Sequence, residues 1–350
     1  DGGNFMSMKA KILELLREKK EQAAAAESEA YVSGQELCEQ FGVSRTAVWK
    51  AIGQLKKEGY VIEAVPNRGY RLVDQAEEVY NQADIQSRLK TKWVGQPLLF
   101  FDTIDSTNIR AKQEAEQGAE SGLLVVADRQ TAGRGRRGRG WESPAGINIY
   151  YTLLLKPDFQ ADCAPMLTLV MALAVAKGIR QTLCRNSEEA AAKVGIKWPN
   201  DIVVDGKKVC GILTEMSMEQ NYIQHIVIGV GINVRKQEFP EEIRDRAAAI
   251  DDQCGFQISR SQLIADIMEA FEEDYEIFLQ THDLKGLRAS YAELLVNQDR
   301  EVCVLDPKGE YRGIARGIND QGELLVERPD GIVEEVYAGE VSVRGVYGYV

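Results

Sequence analysis

A loop rich in arginine and glycine is the part of this sequence best suited to bind a charged ligand. The loop covers residues 131–146, and its basic residues are Arg134, Arg136, Arg137 and Arg139. Guanidinium groups bind carboxylates and phosphates through forked hydrogen bonds, and glycines let backbone N–H groups approach an anion. The composition therefore favours an anion-binding loop over a basic surface that only contacts solvent.

The same loop contains GRGRRG at 133–138, which formally matches the glycine pattern of dinucleotide-binding proteins. That pattern requires a helix directly after the glycines, so that the helix N-terminus meets the pyrophosphate. Here the glycines are followed by Trp141, Pro144 and the strand-like segment 147–155. We therefore expect a strand–loop–strand element that binds its ligand through arginines, and not a dinucleotide-binding fold.

Two shorter motifs add candidate ligand-binding residues. IKWPND at 196–201 places Lys197 and Trp198 on opposite faces of a strand, so we expect the indole in the core and the ammonium in a cleft. DSTN at 105–108 stands at a strand-to-helix junction, a position suited to binding a small polar ligand. Taken alone, the first motif could be a surface lysine and the second a helix cap.

The elements that must position these residues form an α/β pattern. Apolar runs predict strands at 98–104, 123–130, 147–155, 195–198, 202–204, 208–214 and 222–234. Helical spacing predicts helices at 105–119, 164–183, 260–280 and 283–294. His225 lies inside one of the apolar runs, and we expect it to be a strand residue and not a catalytic base.

The N-terminal segment, residues 8–75, is predicted to form a winged helix-turn-helix. Capping serines precede two helices separated by a glycine, and two strands around a turn follow as the wing. The residues expected to contact DNA are Ser44, Arg45, Thr46, Trp49, Lys50 and Arg68. The alternative is a helix-turn-helix that serves only for packing or for binding protein.

The rest of the chain is predicted to form two further domains. A polar connector at 74–83 separates the wing from a central domain at 80–297. Residues 298–350 alternate short strands with turns, which predicts a small antiparallel β-barrel.

Composition excludes several classes of protein. Two histidines make serine–histidine and cysteine–histidine mechanisms poor fits, and a net charge of −12 requires that any DNA contact be local. Six scattered cysteines favour reduced thiols in the cytoplasm over a disulfide framework or a zinc site. We see no signal peptide and no apolar run of about 18 residues, so we expect no membrane association. Residues 1–7 read as leader sequence.

Together the motifs resemble the bifunctional bacterial biotin–protein ligases that also repress the biotin operon, the class II ligases. The resemblance covers nearly the whole chain and rests on the helix-turn-helix at 34–53, DSTN, Gln130, GRGRRGRGW at 133–141, KWPND at 197–201 and VIGVGIN at 227–233. It implies an α+β protein. Its parts would be a winged helix-turn-helix, a central mixed α/β ligase domain of the class II synthetase-like type, and an SH3-like C-terminal barrel.

The resemblance also implies roles for individual residues. Biotin would be bound by Ser106, Thr107, Asn108, Gln130, Arg134, Gly135, Arg136 and Lys197. ATP or the adenylate would be bound by Arg136, Arg137, Trp141 and Asn200, and the catalytic residues would be Lys197, Arg136 and Arg134. No residue is expected to hold a metal of its own.

The implied activity is a two-step reaction combined with gene repression. Biotin and ATP, with Mg²⁺, would form biotinyl-5′-AMP. Biotin would then pass to a lysine of the carrier domain of acetyl-CoA carboxylase or a related carboxylase. The adenylate-bound homodimer would bind operator DNA. The alternatives are a non-catalytic biotin-sensing transcription factor and an acyl-protein ligase that uses lipoate or octanoate.

Overall fold

The computed structural model describes residues 6–25, 30–73, 77–305, 309–337, 342–345 and 349. The chain divides into two compact units, Asp1–Leu89 and Lys90–Val350. Residues 26–29, the start of the connector at 74–83 and most of the leader lie outside the described residues.

The first unit is a winged helix-turn-helix, as predicted. Its elements are α1 (Met8–Ala25), α2 (Gly34–Phe41), α3 (Arg45–Lys57), β1 (Ile62–Val65), β2 (Gly69–Leu72) and α4 (Gln82–Gln86). The Ser33 side chain accepts a hydrogen bond from the Glu36 N–H at 3.0 Å, and Gly42 ends α2 at φ 64°. The strands β1 and β2 pair antiparallel and form the wing.

A mixed seven-stranded sheet organises the second unit. Its strands are β3 (Leu98–Phe101), β4 (Leu124–Ala127), β5 (Ile149–Leu155), β6 (Val194–Lys197), β7 (Asp201–Val204), β8 (Lys207–Glu219) and β9 (Tyr222–Ile232). Their order is β3-β4-β5-β9-β8-β7-β6, and all neighbours are antiparallel except β3 and β4. The segments 131–146 and 198–200, which carry the motifs, are therefore connections between strands of one sheet.

Six α-helices of the second unit, among the described residues, connect or follow the strands of the large sheet. They are α5 (Thr107–Glu116), α6 (Met166–Cys184), α7 (Glu188–Ala192), α8 (Ile250–Cys254), α9 (Arg260–Thr281) and α10 (Arg288–Leu294). The helix predicted at 283–294 begins only at Arg288. The Asp283 carboxylate accepts a hydrogen bond from the Lys285 N–H at 3.0 Å, a local turn that competes with helix formation.

One helix, Ala161–Cys184, is long and apolar enough to cross a membrane, and 72% of its apolar window is buried inside the fold. Burial on nearly every side is what a central core helix requires. Its partner in packing is α9. The same burial explains why the helix is apolar all round.

The C-terminal part of the second unit is a five-stranded antiparallel sheet. Its strands are β10 (Glu301–Leu305), β11 (Tyr311–Ile318), β12 (Leu324–Glu327), β13 (Val333–Val336) and β14 (Ser342–Gly345), in the order β13-β12-β11-β10-β14. The antiparallel sheet predicted from sequence is confirmed. Among the described residues its edge strands β13 and β14 are not paired with each other, so closure into a barrel stays a prediction.

Candidate active site

A cavity of about 310 Å³ opens on one face of the large sheet, inside the second unit. The start of α5, the arginine-rich loop and strands β7 to β9 contribute its walls. Of the residues predicted to bind biotin or ATP, the cavity is lined by Ser106, Thr107, Asn108, Gln130, Arg134, Gly135, Arg136, Arg137, Trp141 and Asn200. The fold thus brings together segments that lie nearly 100 residues apart.

Hydroxyl and amide groups at the start of α5 form a connected network. The Gln130 Oε1 accepts hydrogen bonds from the Thr107 N–H at 2.9 Å and the Thr107 hydroxyl at 3.1 Å. The Thr152 hydroxyl lies 2.8 Å from that of Thr107 and donates to the Asn108 Oδ1 at 2.6 Å. Thr107, Asn108 and Thr152 are buried, and hydrogen bonds fix them and the half-buried Gln130, so they form a rigid polar wall suited to a neutral ligand head.

The network continues to a carboxylate on β8. The Asn108 Nδ2 donates to Glu215 at 2.7 Å, and the Lys112 ammonium lies 2.8 Å from the other carboxylate oxygen. Burial raises the pKa of Glu215, but hydrogen bonds from Asn108 and Lys112 and the charge of Arg134 lower it below its ordinary value. Glu215 therefore stays ionised and fixes the orientation of the Asn108 amide.

The arginine-rich loop folds back on itself as a closed turn. The Gly135 N–H donates to the Arg139 carbonyl at 2.7 Å, and the Trp141 N–H donates to the Gly133 carbonyl at 3.0 Å. Arg136 is half-buried and donates to the Asn200 Oδ1 at 2.8 Å. This bond ties the loop to the turn between β6 and β7, so that two predicted ATP-binding residues touch one another.

Two glycines form a flat floor under the Trp141 indole. Gly211 on β8 and Gly231 on β9 are register partners, and an added Cβ would lie 2.9 Å from the indole at Gly211 and 2.5 Å at Gly231. Real Cβ atoms do not approach so closely, so only glycine at both positions lets the ring lie against the sheet. The indole N–H has no hydrogen-bond partner among the described residues.

A cluster of alternating charges lies at the basic side of the cavity. Asp201 is ion-paired to Lys208, with 2.6 Å between carboxylate and ammonium. Lys208 lines the cavity, and its Nζ is 5.6 Å from the centre of the Trp141 ring. Burial raises the pKa of Asp201, but the charges of Lys208 and Lys197 outweigh it and hold that pKa below its ordinary value.

Lys197 is placed differently from the sequence-based expectation. Trp198 is in the core as predicted, but Lys197 is only 7% exposed and does not belong to the lining of the cavity. Its ammonium lies 4.2 Å from the centre of the Tyr349 ring. The lysine that faces the cavity is Lys208, which sequence reasoning did not select.

Several other residues of the site were also missed. Thr152 and Glu215 occupy the middle of strands and carry no motif. Gly229, where a Cβ would lie 2.1 Å from the Asn108 Oδ1, and Gly231 stand in the segment VIGVGIN. The repeated glycine inside a buried strand was the available signal, because such a glycine often marks close approach of a ligand or another chain segment.

The predicted DNA-contacting residues are all exposed in the first unit. Ser44 caps α3 by accepting from the Ala47 N–H at 3.3 Å, while Arg45, Thr46, Trp49 and Lys50 are exposed on that helix. The Trp49 side chain is 68% exposed. Arg68 is exposed at the wing turn, with its guanidinium 5.2 Å from the centre of the Tyr31 ring. Contact of these residues with DNA stays a prediction.

Comparison with known proteins agrees with this arrangement. Residues 100–233 match the model of the biotin/lipoate A/B protein ligase family, residues 9–71 an HTH domain, and residues 299–344 the biotin protein ligase C-terminal domain. The bifunctional ligase/repressor BirA of Bacillus subtilis is 38% identical over 315 residues, which is 89% of this chain and 94% of that protein. The protein of the same name from Escherichia coli is 32% identical over 312 residues, covering 89% and 92%.

The second unit also resembles solved structures. The biotin protein ligase from Aquifex aeolicus, determined in complex with biotin and ATP, superposes with a TM-score of 0.60 at 30% identity. It covers 71% of this chain and 98% of that chain. The match in fold, the three domain models and the full-length relatives agree, and the chain belongs to the bifunctional ligase/repressor family of biotin–protein ligases.

Proposed function

We propose that this chain uses ATP to convert biotin to biotinyl-5′-AMP and transfers biotin to a lysine of a carboxylase carrier domain. The observation that carries the proposal is a single cavity with two chemically distinct walls. Ser106, Thr107, Asn108 and Gln130 present neutral donors and acceptors, while the arginine-rich loop and Lys208 present positive charge. A ligand with a polar, uncharged head and an anionic end matches both walls.

The first step requires that two anions react with one another. A biotin carboxylate oxygen attacks the α-phosphorus of ATP, and pyrophosphate leaves. Arg134, Arg136 and Lys208 would cancel the repulsion between the anions and stabilise charge on the transferring group. Lys197, the catalytic lysine proposed from sequence, would add positive charge next to Asp201 without lining the cavity. Gly135 would supply a backbone contact.

The base of ATP has a natural place next to Trp141. We propose that the indole, Arg137 and Asn200 bind the adenylate, with adenine stacked on the indole near the glycine floor. Stacking an aromatic base on an aromatic side chain stabilises binding by about 1–3 kcal/mol. With the loop folded over the mixed anhydride, water is kept away until the acceptor amine attacks the acyl carbon and AMP leaves.

We expect Mg²⁺ to enter bound to the phosphates of ATP and not at a metal site of the protein. Within the part of the chain that the structure describes, no three His, Cys, Asp or Glu side chains group together as a metal site. Asp201, the carboxylate on the cavity wall, is occupied by Lys208. Mg²⁺ is usually held by substrate phosphates with few protein ligands. When bound, it would neutralise phosphate charge.

The winged helix-turn-helix of the first unit suggests a second activity, the repression of genes. We propose that the adenylate-bound protein forms a homodimer whose two winged helices bind a two-fold operator in the biotin operon through Ser44, Arg45, Thr46, Trp49, Lys50 and Arg68. Two symmetry-related copies of the recognition helix α3 match the two half-sites of a palindromic operator. The six unpaired cysteines are consistent with a cytoplasmic location, and we expect no membrane partner.

Pyrophosphate release tests the ligase activity. Biotin plus ATP should release pyrophosphate once per enzyme, and addition of a biotin carrier domain should make the release continuous and label the carrier. Release with lipoate or octanoate instead would identify a different acyl-protein ligase. Biotin binding without release would identify a biotin-sensing transcription factor.

A gel shift on the promoter of the chain's own biotin operon tests the repressor activity. Biotin and ATP together should tighten binding, and Arg45→Ala should weaken it. Glu39→Ala, an exposed change on α2, is the matched control. Operator binding that ignores biotin and ATP would contradict control by the adenylate.

A further inference from the structure

A residue that follows the C-terminal sheet in the chain contributes a side chain to the active-site cavity. Tyr349, which follows β14 in the chain, is half-buried and lines the cavity. Its hydroxyl donates a short hydrogen bond to the Asp201 Oδ2. Its ring covers the ammonium of Lys197, 4.2 Å from the ring centre.

Asp201 connects Tyr349 to the lysine that faces the cavity. One carboxylate oxygen accepts a hydrogen bond from the tyrosine hydroxyl. The other oxygen lies 2.6 Å from the Lys208 ammonium, with which it forms an ion pair. Asp201 and Lys197 are 8% and 7% exposed, so neither can exchange these partners for water without moving. The direction in which Lys208 points is therefore coupled to the position of Tyr349.

A second contact restrains the turn at 198–200, between β6 and β7. The Trp198 indole N–H donates to the Gly322 carbonyl at 2.9 Å, and Gly322 lies in the turn between β11 and β12. The segment 197–201 is thus attached to a turn of the C-terminal sheet through Trp198 and to Tyr349 through Asp201. Two attachments fix both the location and the rotation of a short turn, which a single one would not.

We propose that Tyr349 is a positioning residue for adenylate formation: it holds Asp201 so that the Lys208 ammonium points into the cavity, and it shields Lys197 from solvent. The proposal rests on the ligase activity proposed above. A hydrogen bond to a charged group is stronger than one between neutral groups, which makes the tyrosine hydroxyl an effective restraint. Tyr349 itself need not touch biotin.

Two variants of the full chain separate the hydroxyl from the ring. Tyr349→Phe removes the donor to Asp201 and keeps the ring over Lys197, whereas Tyr349→Leu removes both. We expect Tyr349→Phe to lower kcat for adenylate formation about tenfold, as for loss of one charge-assisted hydrogen bond. The KM for biotin should change less than about twofold, because the Thr107–Gln130 network is untouched. Tyr337→Phe, an exposed change before β14, should match the unaltered protein.

Lysine labelling gives a readout that needs no catalysis. Acetylation followed by mass spectrometry should show Lys197 modified several-fold faster in Tyr349→Leu than in the unaltered protein, and unchanged in Tyr349→Phe. Because this result is readable even if biotin is not the substrate, failure of the proposed reaction and failure of this inference remain distinguishable. Equal unfolding midpoints among the variants exclude a general loss of fold.

Either of two results would overturn the inference. A Tyr349→Leu protein that forms adenylate faster than the unaltered one would show that the tyrosine obstructs the cavity. Unchanged kcat in Tyr349→Phe together with unchanged Lys197 labelling in Tyr349→Leu would show that Tyr349 has no positioning role.

Discussion

At the scale of single residues, the two lysines beside Asp201 differ in a way that sequence alone does not reveal. Lys208 lines the cavity, while Lys197 is covered by Tyr349. Direct contact with a developing charge stabilises a transition state more than a charge acting through an intervening carboxylate. The structure therefore ranks the two lysines in their contribution to catalysis.

We expect Lys208→Ala to lower the rate of adenylate formation by on the order of 10²–10³, the cost of one preorganised charge donor. Lys197→Ala should cost roughly tenfold, because its ammonium acts through Asp201. Single-turnover pyrophosphate release measures both, with the exposed Lys207→Ala as control. A larger loss for Lys197→Ala would show that Lys197 makes the direct contact.

The glycine floor gives a second prediction at this scale. A methyl group at position 231 would lie 2.5 Å from the Trp141 indole, so Gly231→Ala should displace the ring. We expect the KM for ATP to rise about tenfold with biotin binding retained, and the tryptophan fluorescence to change. Gly140 has open space around it, so Gly140→Ala is the matched control. An unchanged KM for ATP would remove Trp141 from the adenine site.

At the scale of elements, strand β9 carries a buried histidine that is structural. His225 is 3% exposed, and its Nε2 has no hydrogen-bond partner among the described residues. Burial, with the positive charge of Lys112 adding to it, lowers the pKa of His225 below its ordinary value of 6.5. His225 lies within β9, which confirms the expectation that it is a strand residue.

A pH dependence of stability follows from that depressed pKa. In the unfolded chain the imidazole takes up a proton as the pH falls below 6.5, whereas the folded chain keeps it neutral. The free energy of unfolding should therefore decrease as the pH falls from 7 towards the folded pKa. Denaturant titrations should show a shallower decrease for His225→Phe. An unaltered slope in His225→Phe would contradict the assignment.

At the scale of the whole molecule, one glycine turn attaches the C-terminal sheet to the catalytic sheet. Gly322 has φ 79°, and a Cβ there would lie 2.9 Å from both Leu169 and Leu284. Its carbonyl accepts the Trp198 indole N–H. The turn thus combines a left-handed backbone with close packing against the core.

We expect Gly322→Val to lower the free energy of unfolding by about 3–5 kcal/mol, through left-handed strain and overpacking together. Gly331→Val is a matched control, because Gly331 has φ 81° but open space around it. It should cost only the backbone strain, roughly 1–2 kcal/mol. Equal losses in urea unfolding would show that packing at Gly322 contributes nothing.

Local patterns determined most of the fold and the outline of the site. Caps, glycine turns and apolar periodicity predicted the winged helix and the strands, because these signals act within a few residues. Side-chain chemistry in the arginine-rich loop and in DSTN indicated an anion site beside a polar wall. Resemblance to the ligase family added the identity of the ligand, which spacing and composition could not supply.

Only the tertiary structure decided which charges meet. Strand pairing brings Lys208 beside Asp201, and the fold of the second unit brings Tyr349 over Lys197. A lysine on a strand looks the same in sequence whether its ammonium faces a cavity or a neighbouring ring. For Lys197 the difference depends on a ring more than 100 residues further along the chain, and such a contact leaves no pattern near the lysine.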